Sequence, residues 1–123
     1  MLIEIDFNSD EAIYIQLRNQ IITAIATSQL KEGESLPSVR TMADDIGVNM
    51  HTVNKAYTSL RQDGFLKVDR RRGAIVAVDI DKMNSLQKLR CMLRPVMASA
   101  IVKGISREEA MKIVEEIYNE MEF

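Results

Sequence analysis

The sequence predicts a mainly α-helical chain with one small β-hairpin, a winged helix-turn-helix followed by a short helical tail. Three observations predict it. Residues 36–55 read as two short helices that meet at Gly47, the second opened by the polar cluster Asn49-Met50-His51-Thr52; in that layout a helix is presented to the DNA major groove. Residues 65–78 read as a strand, an arginine-rich turn and a return strand. From Asp79 onward the pattern turns helical again and stays so.

In chain order, residues 11–28 form the first helix. Ile13, Leu17, Gln20, Ile21, Ala24, Ile25 and Ser28 recur with a period of about 3.6, and Ser9 or Asp10 is placed to cap its start. Gly33 closes a connector after Leu30-Lys31-Glu32. The second helix begins at Leu36-Pro37-Ser38, with Pro37 or Ser38 near its first turn and Val39, Met42, Ala43 and Ile46 on its buried side. Gly47 supplies the positive φ of a tight turn. Asn49 caps the third helix, which runs to about Asp63 with Val53, Ala56, Tyr57 and Leu60 inward, and Gly64 stops it. Strands follow at 65–69 and 74–78, around the turn Arg70-Arg71-Arg72-Gly73.

Residues 1–78 are therefore expected to form a winged helix-turn-helix DNA-binding domain and residues 79–123 a two-helix dimerisation tail. In the tail, Leu86, Leu89, Leu93, Val96, Met97, Ala100 and Ile101 keep helical spacing. Pro95 is expected to kink that helix or split it near Arg94. Gly104 ends it, and Ser106 with Glu109 forms a capping box for a last helix carrying Ala110, Met111, Val114, Ile117, Tyr118 and Met121. Two helices of this size enclose little core; their apolar faces need the first domain, each other or a second subunit.

Composition narrows the function classes. Of 123 residues, 46% are hydrophobic and 28% charged, which is globular rather than disordered. One cysteine, Cys91, and one histidine, His51, leave no disulfide framework and no Cys- or His-rich metal site, so neither metal nor cofactor is expected. No nucleophile–base pair or phosphate loop is visible, which argues against an enzyme, and Cys91 beside Met92 reads as packed rather than reactive. The start carries no basic region followed by an apolar run, and no stretch reaches the roughly 18–20 apolar residues of a membrane span, so a cytoplasmic protein without a membrane partner is expected.

The net charge of −2 is unevenly spread. Residues 1–49 hold three basic and eight acidic side chains, residues 50–78 six and two, and residues 79–123 seven and eight. The positive balance falls on the third helix and the hairpin, where it matters for binding a polyanion.

Within that region the candidate DNA contacts are specific. Arg40 has the directed donors of a phosphate clamp. Asn49, Thr52 and Lys55 are placed for phosphates near a helix N-terminus. His51 and Asn54 are the best readers of base edges, and Met50 can offer only apolar contact. Tyr57 divides between packing its ring and reaching a phosphate with its hydroxyl. Arg70, Arg71 and Arg72 with Gly73 form a wing tip, since three adjacent arginines repel one another unless an anion balances them.

These residues resemble the GntR family of bacterial transcription regulators. The likeness rests on Leu36-Pro37-Ser38-Val39-Arg40, then Ala43, Gly47-Val48, Thr52-Val53, Ala56-Tyr57, Leu60 and Gly64, and on Glu11–Leu17 at the start of the domain. It covers about residues 9–78. By that resemblance, the positions matching the family's DNA contacts are Arg40, Asn49, Met50, His51, Thr52, Asn54 and the wing around Arg72-Gly73. The short tail is similar to that of the YtrA subfamily, which dimerises through it and whose genes often accompany ABC transporters. Two departures stand out: Met50 and Asn54 occupy positions often basic in the family, and Arg71 and Ala74 replace a wing glycine and threonine.

The expected function is thus a homodimeric repressor on a palindromic operator in double-stranded DNA. The alternative is a protein-interaction adaptor on the same scaffold without a specific operator. Nothing in the sequence marks the lining of a small-molecule effector pocket.

Overall fold

Leu17, Ile21 and Ala24, one face of a single helix, seed the core. The computed structural model describes residues 2–122 and divides into two compact units between Asp79 and Ile80. The first contains α1 (Ile13–Ala26), α2 (Val39–Ile46), α3 (Met50–Gln62), β1 (Leu66–Asp69) and β2 (Gly73–Val76); the second contains α4 (Lys82–Val102) and α5 (Arg107–Met121).

In the first unit the α1 face packs with Met42 and Ala43 of α2, Val53, Ala56 and Leu60 of α3, Leu66 of β1 and Val76 of β2, with Leu30 and Leu36 closing the core from the connectors. The two turns that orient α3 are local products of the sequence. Gly47 ends α2 at φ 72°, ψ 39°, and its N–H and that of Val48 both reach the Ala43 carbonyl. Gly64 ends α3 at φ 81°, where a Cβ would stand 3.2 Å from that of Asp79, and the Phe65 N–H turns back to the Leu60 carbonyl at 2.9 Å. Arg18 of α1 fastens this end: its Nε donates to Ser59 Oγ at 2.9 Å, its guanidinium pairs with Asp63, and it lies 6.0 Å from the Phe65 ring centre.

The hairpin is antiparallel, from Leu66 opposite Val76 to Asp69 opposite Gly73, so Gly73 belongs to the return strand rather than to the turn, and Ala77 and Val78 lie beyond it. The connector before α2 lies along its other edge. Gly33 N–H reaches the Val76 carbonyl at 2.7 Å, Val76 N–H the Glu34 carbonyl at 2.8 Å, and Leu36 N–H the Ala74 carbonyl at 2.8 Å. Ser35 forms a bridge to Ile75. The wing therefore rests on the segment that leads into α2.

The start of α1 differs from expectation. Ala12, not Ser9 or Asp10, is its N-cap, and no side chain caps it. The entry is held instead by two glutamines one turn apart. Gln16, buried, accepts from Asp6 N–H at 2.9 Å and donates to the Asp6 and Glu11 carbonyls, both at 2.9 Å. Gln20 pairs in the same two-way fashion with the Glu4 backbone. Two residues of extended chain advance about 7 Å and four residues of helix about 6 Å, so the two amides serve Glu4 and Asp6 as a strand neighbour would. Ile3 and Ile5 are thereby laid against the core. At its other end α1 stops at Ala26; Ser28, expected in the helix, is exposed at φ 63°.

In the second unit, α4 runs unbroken through Pro95, which cannot donate to the Cys91 carbonyl and crowds it; the expected split is absent. Asp81 caps α4 by accepting from Asn84 N–H at 3.1 Å. Gly104 and Ile105 close it by turning back to the Ile101 and Ala100 carbonyls. The capping box forms as predicted: Glu109 N–H donates to Ser106 Oγ at 3.1 Å and Ser106 N–H to Glu109 Oε1 at 3.0 Å. The Ser106 N–H and then its hydroxyl hold the Glu109 carboxyl below the usual range. Neither helix buries a single residue. Cys91, expected to be packed, is exposed because this unit has no core for it to enter. No helix among the described residues is long and apolar enough to cross a membrane.

Candidate nucleic-acid interface

Because Val53, Ala56, Tyr57 and Leu60 commit one side of α3 to the core, its other side must face outward. Met50, His51, Asn54 and Lys55 are exposed there, and Thr52 is half-buried. Arg40, one residue into α2, is exposed beside them in sequence after the Ser38 cap, which accepts from Thr41 N–H at 3.1 Å. The first turn of α3 is less open to an anion than its sequence suggests. Asn49 Oδ1 takes the His51 N–H at 2.7 Å and the Asn49 carbonyl takes that of Thr52 at 3.0 Å. Asn49 is a helix cap, with its amide –NH2 left for other work.

Two of the predicted side chains carry contacts within the fold. Tyr57 is buried and its hydroxyl donates to the Pro37 carbonyl at 2.8 Å, pinning the start of α2 to α3. Burial pushes its phenol well above the usual tyrosine range. The packing role is the one realised, since the hydroxyl proton is already spent. Lys55 lies with its Nζ 4.1 Å from the centre of the Tyr14 ring, a cation–π contact on the α1 side of α3.

At the wing tip a single carboxylate shapes the turn. Asp69 Oδ1 accepts from Arg71 N–H at 2.8 Å and from Arg72 N–H at 3.1 Å. Those two N–H groups, and then the Arg72 charge, hold its carboxyl below the usual aspartate range. A lowered folded value means the turn is fully held above the ordinary aspartate range and released as pH falls through the lowered one. Asp69→Ala is expected to speed amide exchange at Arg71 and Arg72 while leaving α1–α3 amides unchanged; equal exchange at the tip would remove that role. The arginines divide. Arg72 donates to the Gly33 carbonyl at 3.2 Å and stands 3.8 Å from Asp69, whereas Arg70 and Arg71 make no ion pair among the described residues.

A cleft separates α3 from the hairpin, and Thr58, Arg61 and Lys67 line it. Sequence reasoning passed over these three; the spacing of Asn54, Thr58 and Arg61 along one helical face could have marked the two on α3, and nothing in the sequence marked Lys67.

Three helices, an outward polar face on the third and a cationic hairpin beside it define a winged helix-turn-helix DNA-binding protein. Residues 11–76 match the sequence model described as "Bacterial regulatory proteins, gntR family", more than half of the chain, and the chain belongs to that family. It is a DNA-binding transcriptional regulator of YtrA-subfamily type. Among similar proteins, the HTH-type transcriptional repressor YtrA of Bacillus subtilis is 29% identical over 119 residues, 94% of this chain and 92% of that one. YtrA from Sulfolobus acidocaldarius, a GntR-family transcription factor, is 40% identical, with a TM-score of 0.69 over 83% of this chain and 99% of that one. A transcriptional antiterminator from Listeria monocytogenes superposes with a TM-score of 0.86 at 29% identity, over 95% of this chain and 90% of that one.

Proposed function

We propose that this regulator is a repressor that acts in the cytoplasm and binds a palindromic operator as a homodimer. The observation that carries this reading is the outward face of α3 set beside a cationic hairpin. Residues 1–78 are the DNA-binding domain. His51 and Asn54 read base edges in the major groove, with Met50 in apolar contact. Arg40, Thr52, Lys55 and the Asn49 amide hold phosphates, and Arg70 to Gly73 form the wing against the adjacent minor groove. Tyr57 supports α3 from below.

Residues 79–123 join the subunits. Their helices bury nothing alone, while Leu86, Leu89, Leu93 and Val96 of α4 and Ile113, Val114 and Ile117 of α5 stand exposed. A second copy of the same two helices covers them by an isologous contact, and its two-fold axis matches a palindrome with half-sites about 34 Å apart. Repression then follows from occlusion of a promoter. The B. subtilis relative is named a repressor, and an ABC transporter operon is the target that the subfamily resemblance suggests.

Selection of bound duplexes from a random pool, at stated salt, tests the reading. An inverted repeat is the expected enrichment. A pool that stays flat would overturn the operator and favour the adaptor.

A further inference from the structure

The cleft between α3 and the hairpin has a volume of about 240 Å³. Ser38 at the start of α2 bounds it, with Asn54, Thr58 and Arg61 on α3 and Lys67 on β1. Two cations and no carboxylate line it, and its floor is the buried pair Tyr57 and Leu66. Asn54, Arg61 and Lys67 are exposed, and neither cation makes an ion pair among the described residues. Asn54, Thr58 and Arg61 follow at intervals of four and three, so they continue the outward face of α3 toward the hairpin's base.

What must occupy this gap follows from the shape of a duplex. A major groove and the minor groove beside it are separated by one sugar–phosphate strand. With α3 in the first and the wing in the second, that strand passes between α3 and β1. We propose that the cleft seats this strand, with Arg61 and Lys67 as a two-sided grip on a backbone phosphate and Thr58 as a neutral donor between them. This rests on the groove assignment made under Proposed function. Arg61 brings planar, paired donors and Lys67 a mobile point charge, which together tolerate variation in the phosphate's position. The apolar floor meets deoxyribose. Since phosphates carry no sequence information, the grip adds affinity for every duplex and sets how far α3 and the wing straddle the strand.

The test uses the full chain and a random-sequence duplex, with affinity measured by fluorescence anisotropy across a salt series. The double variant Arg61→Gln, Lys67→Gln is expected to flatten the logarithmic salt dependence by about 0.9, the share of the one phosphate the pair neutralises, and each single variant by a part of that. Both side chains are exposed, so thermal melting should stay at the unaltered value. A double variant with the unaltered chain's affinity and slope would overturn the grip, as would one that loses affinity at constant slope. Those failures are distinct from failure of the parent reading, which shows in the unaltered chain itself as a selection pool that stays flat.

Discussion

A chain ended after Asp79 is expected to stay folded, become monomeric, and bind its operator about 10²- to 10⁴-fold more weakly. Folding should survive because every buried hydrophobic residue among the described residues lies between Leu17 and Val76. The pairings that hold the wing, from Gly33 to Val76 and from Glu32 to Val78, also precede the cut. Dimerisation should not survive. Leu86, Leu89, Leu93 and Val96 are 45%, 49%, 39% and 56% exposed, and their alternating intervals of three and four are the spacing that a helix-pair seam requires. A monomer reads one half-site and forfeits the effective concentration that a linked second half supplies. Sedimentation of the full and truncated chains, with operator titration of both, measures each part. A truncated chain that still sediments as a dimer would move the subunit contact into the first unit.

Much of the fold was legible because its decisive features are local. Gly47, Asn49 and Gly64 set the ends of α2 and α3 through hydrogen bonds to atoms a few residues away, and Ser106 with Glu109 does the same for α5. Periodicity located the core face of α3, with Val53, Ala56, Tyr57 and Leu60 all buried. What escaped is long-range and polar. Gln16 binds a backbone ten residues earlier and Gln20 one sixteen earlier, and a hydrophobic pattern assigns no such role to an amide. The connector's pairing with β2 joins residues about forty apart in sequence, with no alternation in Gly33–Leu36 to announce it. At the candidate interface, residue types marked the exposed face of α3, but only packing could tell that the Tyr57 hydroxyl is spent on Pro37 and that Lys55 lies on Tyr14. Pro95, read as a kink or a split, does not split α4. A proline inside a helix costs one hydrogen bond and some crowding, and α4 is long enough to continue on both sides.

Replacing Arg70, Arg71 and Arg72 together by alanine is expected to weaken binding to all duplexes and to flatten its logarithmic salt dependence by about 0.9 for each phosphate lost. The three should not contribute equally. Arg70 and Arg71 make no ion pair among the described residues, so their charges are available to a phosphate at no structural cost. Arg72 already donates to the Gly33 carbonyl and faces Asp69, and reaching DNA requires giving up that contact. The Arg70→Ala, Arg71→Ala pair should therefore carry most of the change in slope. Arg72→Ala should act mainly through the wing's footing on the connector, lowering affinity with little change in slope. Anisotropy titrations of the pair, the single and the triple variants across salt separate these contributions. A triple variant with an unaltered slope would remove the wing from the interface. A slope that falls fully with Arg72→Ala alone would make the Gly33 contact a resting position rather than a footing. If the wing enters the minor groove, the triple variant should also lose more affinity on A·T-rich duplexes, whose narrower groove concentrates negative potential around an inserted arginine.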